Sequence, residues 1–163
     1  MITVILLCLW MVLIFSLSSQ NSDQSSETSG GLIAAVAELF YPDFDRLTEE
    51  EQAKVIESFQ FIARKTAHFS IYGVLGFLSF LTFVSYRRLR LILRFLLSAA
   101  FCLIYAVSDE IHQFFVPGRS CELRDVCIDF CGALLAITVS ALFSRYIKRI
   151  YKHIRTVGAD EKQ

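Results

Sequence analysis

The chain has 163 residues, about the length of one domain, yet 55% of them are apolar and the mean hydropathy is +0.51. Its 16 basic and 16 acidic residues cancel, so it lacks the net positive charge typical of nucleic-acid-binding proteins, and no nucleic-acid partner is predicted. With 15 Phe and only 2 Pro, disorder of the whole chain is excluded.

The apolar residues are gathered in four segments, and the last three approach the roughly 20 residues needed to cross a bilayer. Arg94 and Asp129 are the only Asp, Glu, Lys or Arg residues within them. We therefore predict an all-α, multi-pass membrane protein in one domain, residues 1–163, with four transmembrane helices and short outer amphipathic helices. The predicted spans are residues 2–17, 66–85, 91–108 and 126–144.

The first span is short enough to be a cleavable signal peptide, because small residues follow it at Ser16, Ser18 and Ser19. Two features argue against cleavage. No Lys or Arg precedes Ile2, and bulky Phe15 and Leu17 interrupt any small-x-small site. The segment is predicted to be a retained membrane anchor.

The outer segment, residues 18–63, begins with a polar, Ser-rich stretch that ends at Gly30 and Gly31. An apolar stretch over residues 32–40 follows and stops at Pro42, which indicates a helix lying on the membrane surface or on the helix bundle. Thr48 and Glu51 then have the spacing of a capping box. Apolar residues share one face after it, so an amphipathic helix is predicted to lead into the second span; they are Val55, Ile56, Phe59 and Ile62.

The distribution of charge predicts an orientation. Residues 18–63 hold nine acidic and two basic residues, whereas the stretch 86–94 holds four Arg and no acid, and the tail from Arg145 holds six bases and two acids. Because Lys and Arg in short loops resist translocation, the 86–94 loop and the tail are predicted to be cytoplasmic. Both termini then lie inside, and the other two loops lie outside.

Ionisable and polar residues gather at the predicted outer ends of the last three spans, spaced to share helix faces. A carboxylate inside an apolar segment is costly unless it is paired or neutralised, so Asp129 needs a partner. The available cations are Arg64, Lys65, His68, Arg119 and Arg124. The predicted ligand-binding cluster comprises Arg64, Lys65, His68, Tyr72, Asp109, Glu110, His112, Gln113, Arg119, Ser120, Asp125 and Asp129.

Two local patterns are predicted to shape this cluster. Pro117-Gly118 is suited to a type II turn, which would bring Arg119 back over the cluster, and Ser120 can cap the fourth helix. A stripe of small residues on that helix is expected to face the bundle; it consists of Gly132, Ala133, Ala136 and Ser140.

Each of these residues also has a structural interpretation. His68 could be a hydrogen-bonded interface residue, Arg64 and Lys65 could extend to the headgroup region, and Arg119 with Asp125 could form an ion pair. No catalytic residue is assigned; the candidates for proton transfer are His68, Asp109, Glu110 and His112.

Familiar cofactor and catalytic motifs are missing from the sequence. It has no His-Glu-x-x-His, no Cys-x-x-Cys, no phosphate-binding glycine loop and no Gly-x-Ser-x-Gly. Neither a metal nor another cofactor is predicted. The five cysteines, with Cys8 and Cys102 inside spans, do not form a disulfide framework.

Three stretches together resemble the VanZ-like family of small bacterial membrane proteins. They are Phe15-Ser16-Leu17-Ser18-Ser19-Gln20, Arg64-Lys65-Thr66-Ala67-His68-Phe69-Ser70-Ile71-Tyr72, and Asp109-Glu110-Ile111-His112-Gln113-Phe114-Phe115-Val116-Pro117-Gly118-Arg119-Ser120 with Asp125. The resemblance implies the bacterial cytoplasmic membrane. It also implies a link to resistance against teicoplanin, a lipoglycopeptide antibiotic. The sequence departs from the family pattern at Asp129, where an Asn is common.

Three functions are compatible with these residues. In the first, a non-enzymatic membrane protein binds a lipid headgroup or a lipoglycopeptide-like amphiphile in an outward polar pocket and lowers susceptibility to teicoplanin. In the second, a membrane-embedded enzyme acts on a lipid or a lipid-linked cell-wall intermediate. In the third, the protein is a structural or assembly partner. The sequence leaves the oligomeric state open.

Overall fold

The structure, a computed structural model, describes residues 1–20, 31, 33–41, 44–86, 88–119 and 121–160, with only the backbone for residues 45 and 152–160. Within these residues it is entirely helical. Helix α1 spans Ile2–Ser18, α2 residues 33–40, α3 Glu49–Val84, α4 Leu91–Gln113 and α5 Leu123–Asp160, and a 3-10 turn spans Phe44–Arg46. The predicted all-α class is confirmed.

Three helices of the described chain, α3, α4 and α5, are long and apolar enough to cross a membrane. Helix α1 is apolar but has only 17 residues, so it measures about 26 Å, somewhat less than the roughly 30 Å of a hydrocarbon core. The four-span topology and the cytoplasmic termini therefore remain predictions.

Helix α3 combines the predicted amphipathic helix and the second span in one 36-residue helix. Its start is set by the predicted capping box. The Thr48 hydroxyl accepts from the amide of Glu51, and the Glu51 carboxylate accepts from the amide of Thr48 at 2.9 Å. At about 54 Å the helix is longer than a bilayer is thick, so its first turns extend beyond the hydrocarbon core.

Two helices differ in length from the predicted spans. Helix α4 continues five residues past position 108 to Gln113, because its last turn is buried, with Asp109, Glu110 and Gln113 all under 5% exposed. Helix α5 begins at Leu123 and continues through the basic tail to Asp160, a stretch that contains no Pro.

Helices α3 and α5 approach each other at glycine. A Cβ added to Gly132 would overlap the carbonyl oxygen of Phe69, and one added to Gly76 would overlap the backbone of Ala133. Small residues allow such close packing between membrane helices. The predicted small-residue stripe on α5 therefore does face the bundle, with Ala133 fully buried.

Helix α1 is bound to the bundle by two side-chain to backbone hydrogen bonds. The Trp10 indole Nε1 donates to the carbonyl of Ile71 on α3 at 3.0 Å, and the Tyr105 hydroxyl on α4 donates to the carbonyl of Met11 at 2.7 Å. Leu7, Ile14 and Ser18 form its buried face. These contacts bring the end of α1 beside the polar middle of α3 and the polar end of α4.

Candidate functional site

A cavity of about 530 Å³ lies where the end of α1, the middle of α3, the end of α4 and the α4–α5 loop meet. Its size is within the range of small-molecule sites. The apolar part of its wall comes from α1, α2 and α3, and its main contributors are Ile14, Leu17, Ile33, Phe61 and Ile71. The polar part contains five of the predicted site residues: Arg64, His68, Tyr72, Asp109 and Arg119.

Three of the five follow each other along α3. Arg64, His68 and Tyr72 are spaced by four residues, so they lie on one face of the helix, as predicted, and that face borders the cavity. Tyr72 is 1% exposed, whereas Arg64 is exposed. The face therefore becomes progressively more buried from Arg64 to Tyr72.

Asp109 accepts several side-chain hydrogen bonds in the site. Its Oδ2 accepts hydrogen bonds from the Ser18 hydroxyl at 2.9 Å, the Tyr72 hydroxyl at 3.1 Å and the Gln113 amide at 3.2 Å. Since these donors belong to α1, α3 and α4, one carboxylate oxygen connects three helices. Three donors on a single oxygen suit an ionised carboxylate, which is an acceptor only.

Arg119 reaches the cavity by way of the predicted turn. The amide of Arg119 donates to the carbonyl of Val116 at 3.1 Å, and Gly118 has a φ of 76°, which is the conformation that a type II turn requires at this position. The Arg119 Nε donates to the carbonyl of Gln20 at 3.2 Å. The loop is thereby connected to the end of α1.

Arg64 and Arg119 are close enough to influence each other. Burial lowers the pKa of the Arg119 guanidinium, and repulsion from Arg64 acts in the same direction, whereas attraction to Asp109, Glu110 and Asp125 acts in the opposite one. Among the residues that the structure describes, neither arginine forms an ion pair with a carboxylate. Two guanidinium groups thus border one cavity without a paired counter-charge.

His68 also borders the cavity, and behind it lies Asp129. The distance between His68 Nδ1 and Asp129 Oδ1 is 3.3 Å, although the geometry is not that of a hydrogen bond. Asp129 is completely buried, and neither of its oxygens has a hydrogen-bond partner among the described residues. Of the five basic residues predicted as possible partners of Asp129, His68 is the one in contact with it.

Lys65 and Asp125 lie outside the cavity. They form an ion pair with each other, and their side chains are 14% and 17% exposed. The alternative pairing of Asp125 with Arg119 is wrong, because Lys65 occupies the position beside Asp125. One helical position separates Lys65 from Arg64, and this places its side chain toward α5 instead of toward the cavity.

Three further predicted residues, Glu110, His112 and Gln113, are also outside the cavity wall. Glu110 is 1% exposed, and its Oε2 accepts from the amide of Glu122 at 3.0 Å, just before α5 begins. His112 stacks on Phe15 with ring centroids 4.3 Å apart, and its Nε2 lies 3.1 Å from the Ser19 hydroxyl. Gln113 supports Asp109. Ser120, with its predicted capping role, is outside the described residues.

Sequence reasoning did not assign a role to the end of α1. Ser18 donates to Asp109, Gln20 accepts from Arg119, and Phe15 carries the ring of His112. The signal was present, because these residues belong to the Phe15–Gln20 stretch. The sequence predicts for that stretch the end of a retained membrane anchor and a resemblance to the family, and no role in binding. The contribution of Glu57 and Gln60 to the cavity was likewise not predicted.

The described residues contain no group of three His, Cys, Asp or Glu side chains arranged to hold a metal ion. The side chains that border the cavity offer two guanidinium groups, an imidazole, a phenol and two carboxylates, from Glu57 and Asp109.

Long apolar helices that bury carboxylates and small residues between them define this chain as an integral membrane protein. Its family follows from comparison. The family model of VanZ/LLP1 matches residues 3–144, and the chain belongs to this family. No curated protein and no solved structure gives a significant match.

Proposed function

We propose that this protein lies in the bacterial cytoplasmic membrane, that its cavity opens toward the outer side, and that the cavity binds the anionic headgroup of an amphiphile. The observation that carries the proposal is the pair of guanidinium groups, Arg64 and Arg119, which border one cavity without an ion-pair partner among the described residues. An anion between them would offset their mutual repulsion.

The rest of the cavity wall supports an amphiphilic ligand. Ile14, Leu17, Ile33 and Phe61 provide apolar surface beside the arginines, so a hydrocarbon chain and a charged headgroup can be accommodated together. Asp109 borders the same cavity, but among the described residues it forms no ion pair with Arg64 or Arg119, and its Oδ2 accepts from three other donors.

By binding an amphiphile at the outer surface, the protein would lower the access of a lipoglycopeptide such as teicoplanin to the cell. A bound lipid headgroup would change the surface on which the antibiotic inserts its acyl chain, and bound antibiotic would be withheld from its target. Vancomycin lacks the acyl chain, so selective protection against teicoplanin is expected.

The test compares Arg64→Gln and Arg119→Gln with a matched control, Arg124→Gln. Arg124 is paired with Glu122 at 2.8 Å and does not border the cavity. Removing one charged hydrogen-bond donor costs about 1.5 to 3 kcal/mol, so binding of phosphatidic acid in nonionic micelles should weaken about 10- to 100-fold. The control should bind like the wild type.

The same three variants should be expressed in a teicoplanin-sensitive bacterium, with membrane levels checked by blotting. Loss of teicoplanin protection in the two cavity variants, with the control unaffected, supports the proposal. Equal inhibitory concentrations with and without the wild-type protein would exclude the resistance role. Unchanged lipid affinity in both cavity variants would exclude the headgroup site.

A further inference from the structure

His68 has the surroundings of a reactive histidine. It borders the cavity that contains Arg64 and Arg119, and its Nδ1 lies 3.3 Å from the carboxylate of Asp129. Because Nδ1 is the ring nitrogen in contact with Asp129, the other ring nitrogen, Nε2, is the one left for a ligand. A carboxylate beside Nδ1 favours the tautomer whose proton is on Nδ1 and whose lone pair is on Nε2.

Asp129 has no evident structural role. It is completely buried on a long apolar helix, and its oxygens lack hydrogen-bond partners among the described residues. Within the described part of the chain, His68 is the basic side chain in contact with it. A buried carboxylate in such a position costs several kcal/mol, and unsatisfied buried groups require an explanation. Orientation of His68 provides one.

The hydrogen-bond donors of the cavity indicate which ligand group fits. Glu57 and Asp109 border the cavity as well as Arg64 and Arg119, so net charge does not distinguish the candidates. A phosphomonoester presents three terminal oxygens to the two guanidinium groups, whereas a phosphodiester presents two. Guanidinium groups are also the side chains that best stabilise the equatorial oxygens of a phosphoryl group during its transfer.

We propose that the cavity hydrolyses the phosphomonoester of a membrane-anchored alcohol, with His68 as the nucleophile and Asp129 as its positioning residue. This inference rests on the proposed function, because the phosphate has to be held by Arg64 and Arg119. It adds a reaction to that binding site and names the class of ligand.

The reaction proceeds in two steps. In the first, the lone pair of His68 Nε2 attacks phosphorus, the bond between phosphorus and the alcohol oxygen breaks, and the alkoxide takes a proton from water. In the second, the hydroxide left by that water attacks the phosphohistidine, the nitrogen–phosphorus bond breaks, and inorganic phosphate leaves. Water is the only co-reactant, and His68 is regenerated.

The experiment uses the full-length protein in nonionic micelles containing either phosphatidic acid or farnesyl phosphate, with release of inorganic phosphate as the readout. These two probes distinguish a glycerolipid from an isoprenoid source of the same phosphomonoester. Phosphatidylglycerol, a phosphodiester, should release no phosphate. The wild type should hydrolyse at least one of the two monoesters.

The decisive variant is His68→Gln, and its matched control is His153→Gln. Position 153 is on α5, 24 residues beyond Asp129, which is about 36 Å along the helix. Loss of a nucleophile should reduce phosphate release by about 1,000-fold or more, while lipid binding persists, and the control should keep its rate. Base-quenched reactions with labelled phosphate should place the label on the peptide that contains His68.

Asp129→Asn tests the positioning role. The rate should fall by about 100-fold or more because an amide no longer selects the productive tautomer, and the pH profile of the remaining activity should shift. A merely structural role would reduce the amount of folded protein without altering that profile.

Each outcome decides between the proposals. Lipid binding by the wild type without phosphate release would overturn the hydrolysis and leave the proposed function intact. Full activity in His68→Gln, or a label on a residue other than His68, would overturn the assignment of His68 as the nucleophile. Failure of the wild type to bind either monoester would overturn both the hydrolysis and the headgroup site.

Discussion

The hydroxyl of Ser18, at the end of α1, donates a 2.9 Å hydrogen bond to Oδ2 of Asp109, at the end of α4. The two residues are 91 positions apart, and both are at most 4% exposed. Together with Tyr72 and Gln113, Ser18 surrounds a charged group that would otherwise be buried without donors. This contact makes α1 part of the site.

Replacing Ser18 by Ala should destabilise the protein. The change removes one donor from a buried carboxylate, so the free energy of unfolding should fall by about 1 to 3 kcal/mol. Ser16→Ala is the matched control, because the exposed Ser16 hydroxyl only donates to the carbonyl of Val12 on its own helix. Thermal unfolding in detergent, followed by circular dichroism, measures both. Equal midpoints for the two variants would contradict this role of Ser18.

Gly132→Ala should prevent normal assembly of α3 and α5. Its Cβ would overlap the Phe69 carbonyl, and backbone cannot move aside as a flexible side chain can. Gly73→Ala provides the control, since its Cβ would meet the carbonyl oxygen of Gly132 at 3.6 Å, an ordinary contact. We expect Gly132→Ala to be recovered from membranes at a much lower level of folded protein, as judged by gel filtration. If both variants elute like the wild type, the two helices do not approach each other as closely at Gly132 as the structure indicates.

The Lys65 and Asp125 pair should show coupling. Both side chains are mostly buried, so Lys65→Ala alone leaves a carboxylate without its partner, and the same holds in reverse for Asp125→Ala. In a double-mutant cycle the interaction should amount to about 0.5 to 3 kcal/mol. Lys54 and Glu50 are a suitable reference, since this exposed pair on α3 should give a coupling near zero to about 0.5 kcal/mol. Additive effects of the two substitutions would show that the ion pair contributes nothing to the free energy of unfolding.

The orientation of the chain can be measured with its own cysteines. All five are free, and Cys121 is exposed in the loop before α5. In a variant that keeps only Cys121, a membrane-impermeant maleimide should label intact cells, because that loop is predicted to lie outside. A variant with its only cysteine at Tyr86→Cys should be labelled after permeabilisation alone. The reverse pattern would mean that the positive-inside assignment is inverted.

Local features of this chain were readable from the sequence. The capping box of Thr48 and Glu51, the turn that ends at Arg119, and the helical face shared by Arg64, His68 and Tyr72 all formed as predicted. Each depends on residues at most eight positions apart. Backbone geometry and helical spacing determine such features whatever the rest of the chain does.

Tertiary structure alone decided the partners of the buried charges. The pairing of Lys65 with Asp125, the contact of His68 with Asp129, and the bond from Ser18 to Asp109 each join residues about 60 or more positions apart. Several cations were compatible with each carboxylate, because composition cannot specify how helices rotate and approach. The close contact of α3 and α5 at Gly132 sets that rotation, and thereby turns Arg64 toward the cavity and Lys65 toward α5.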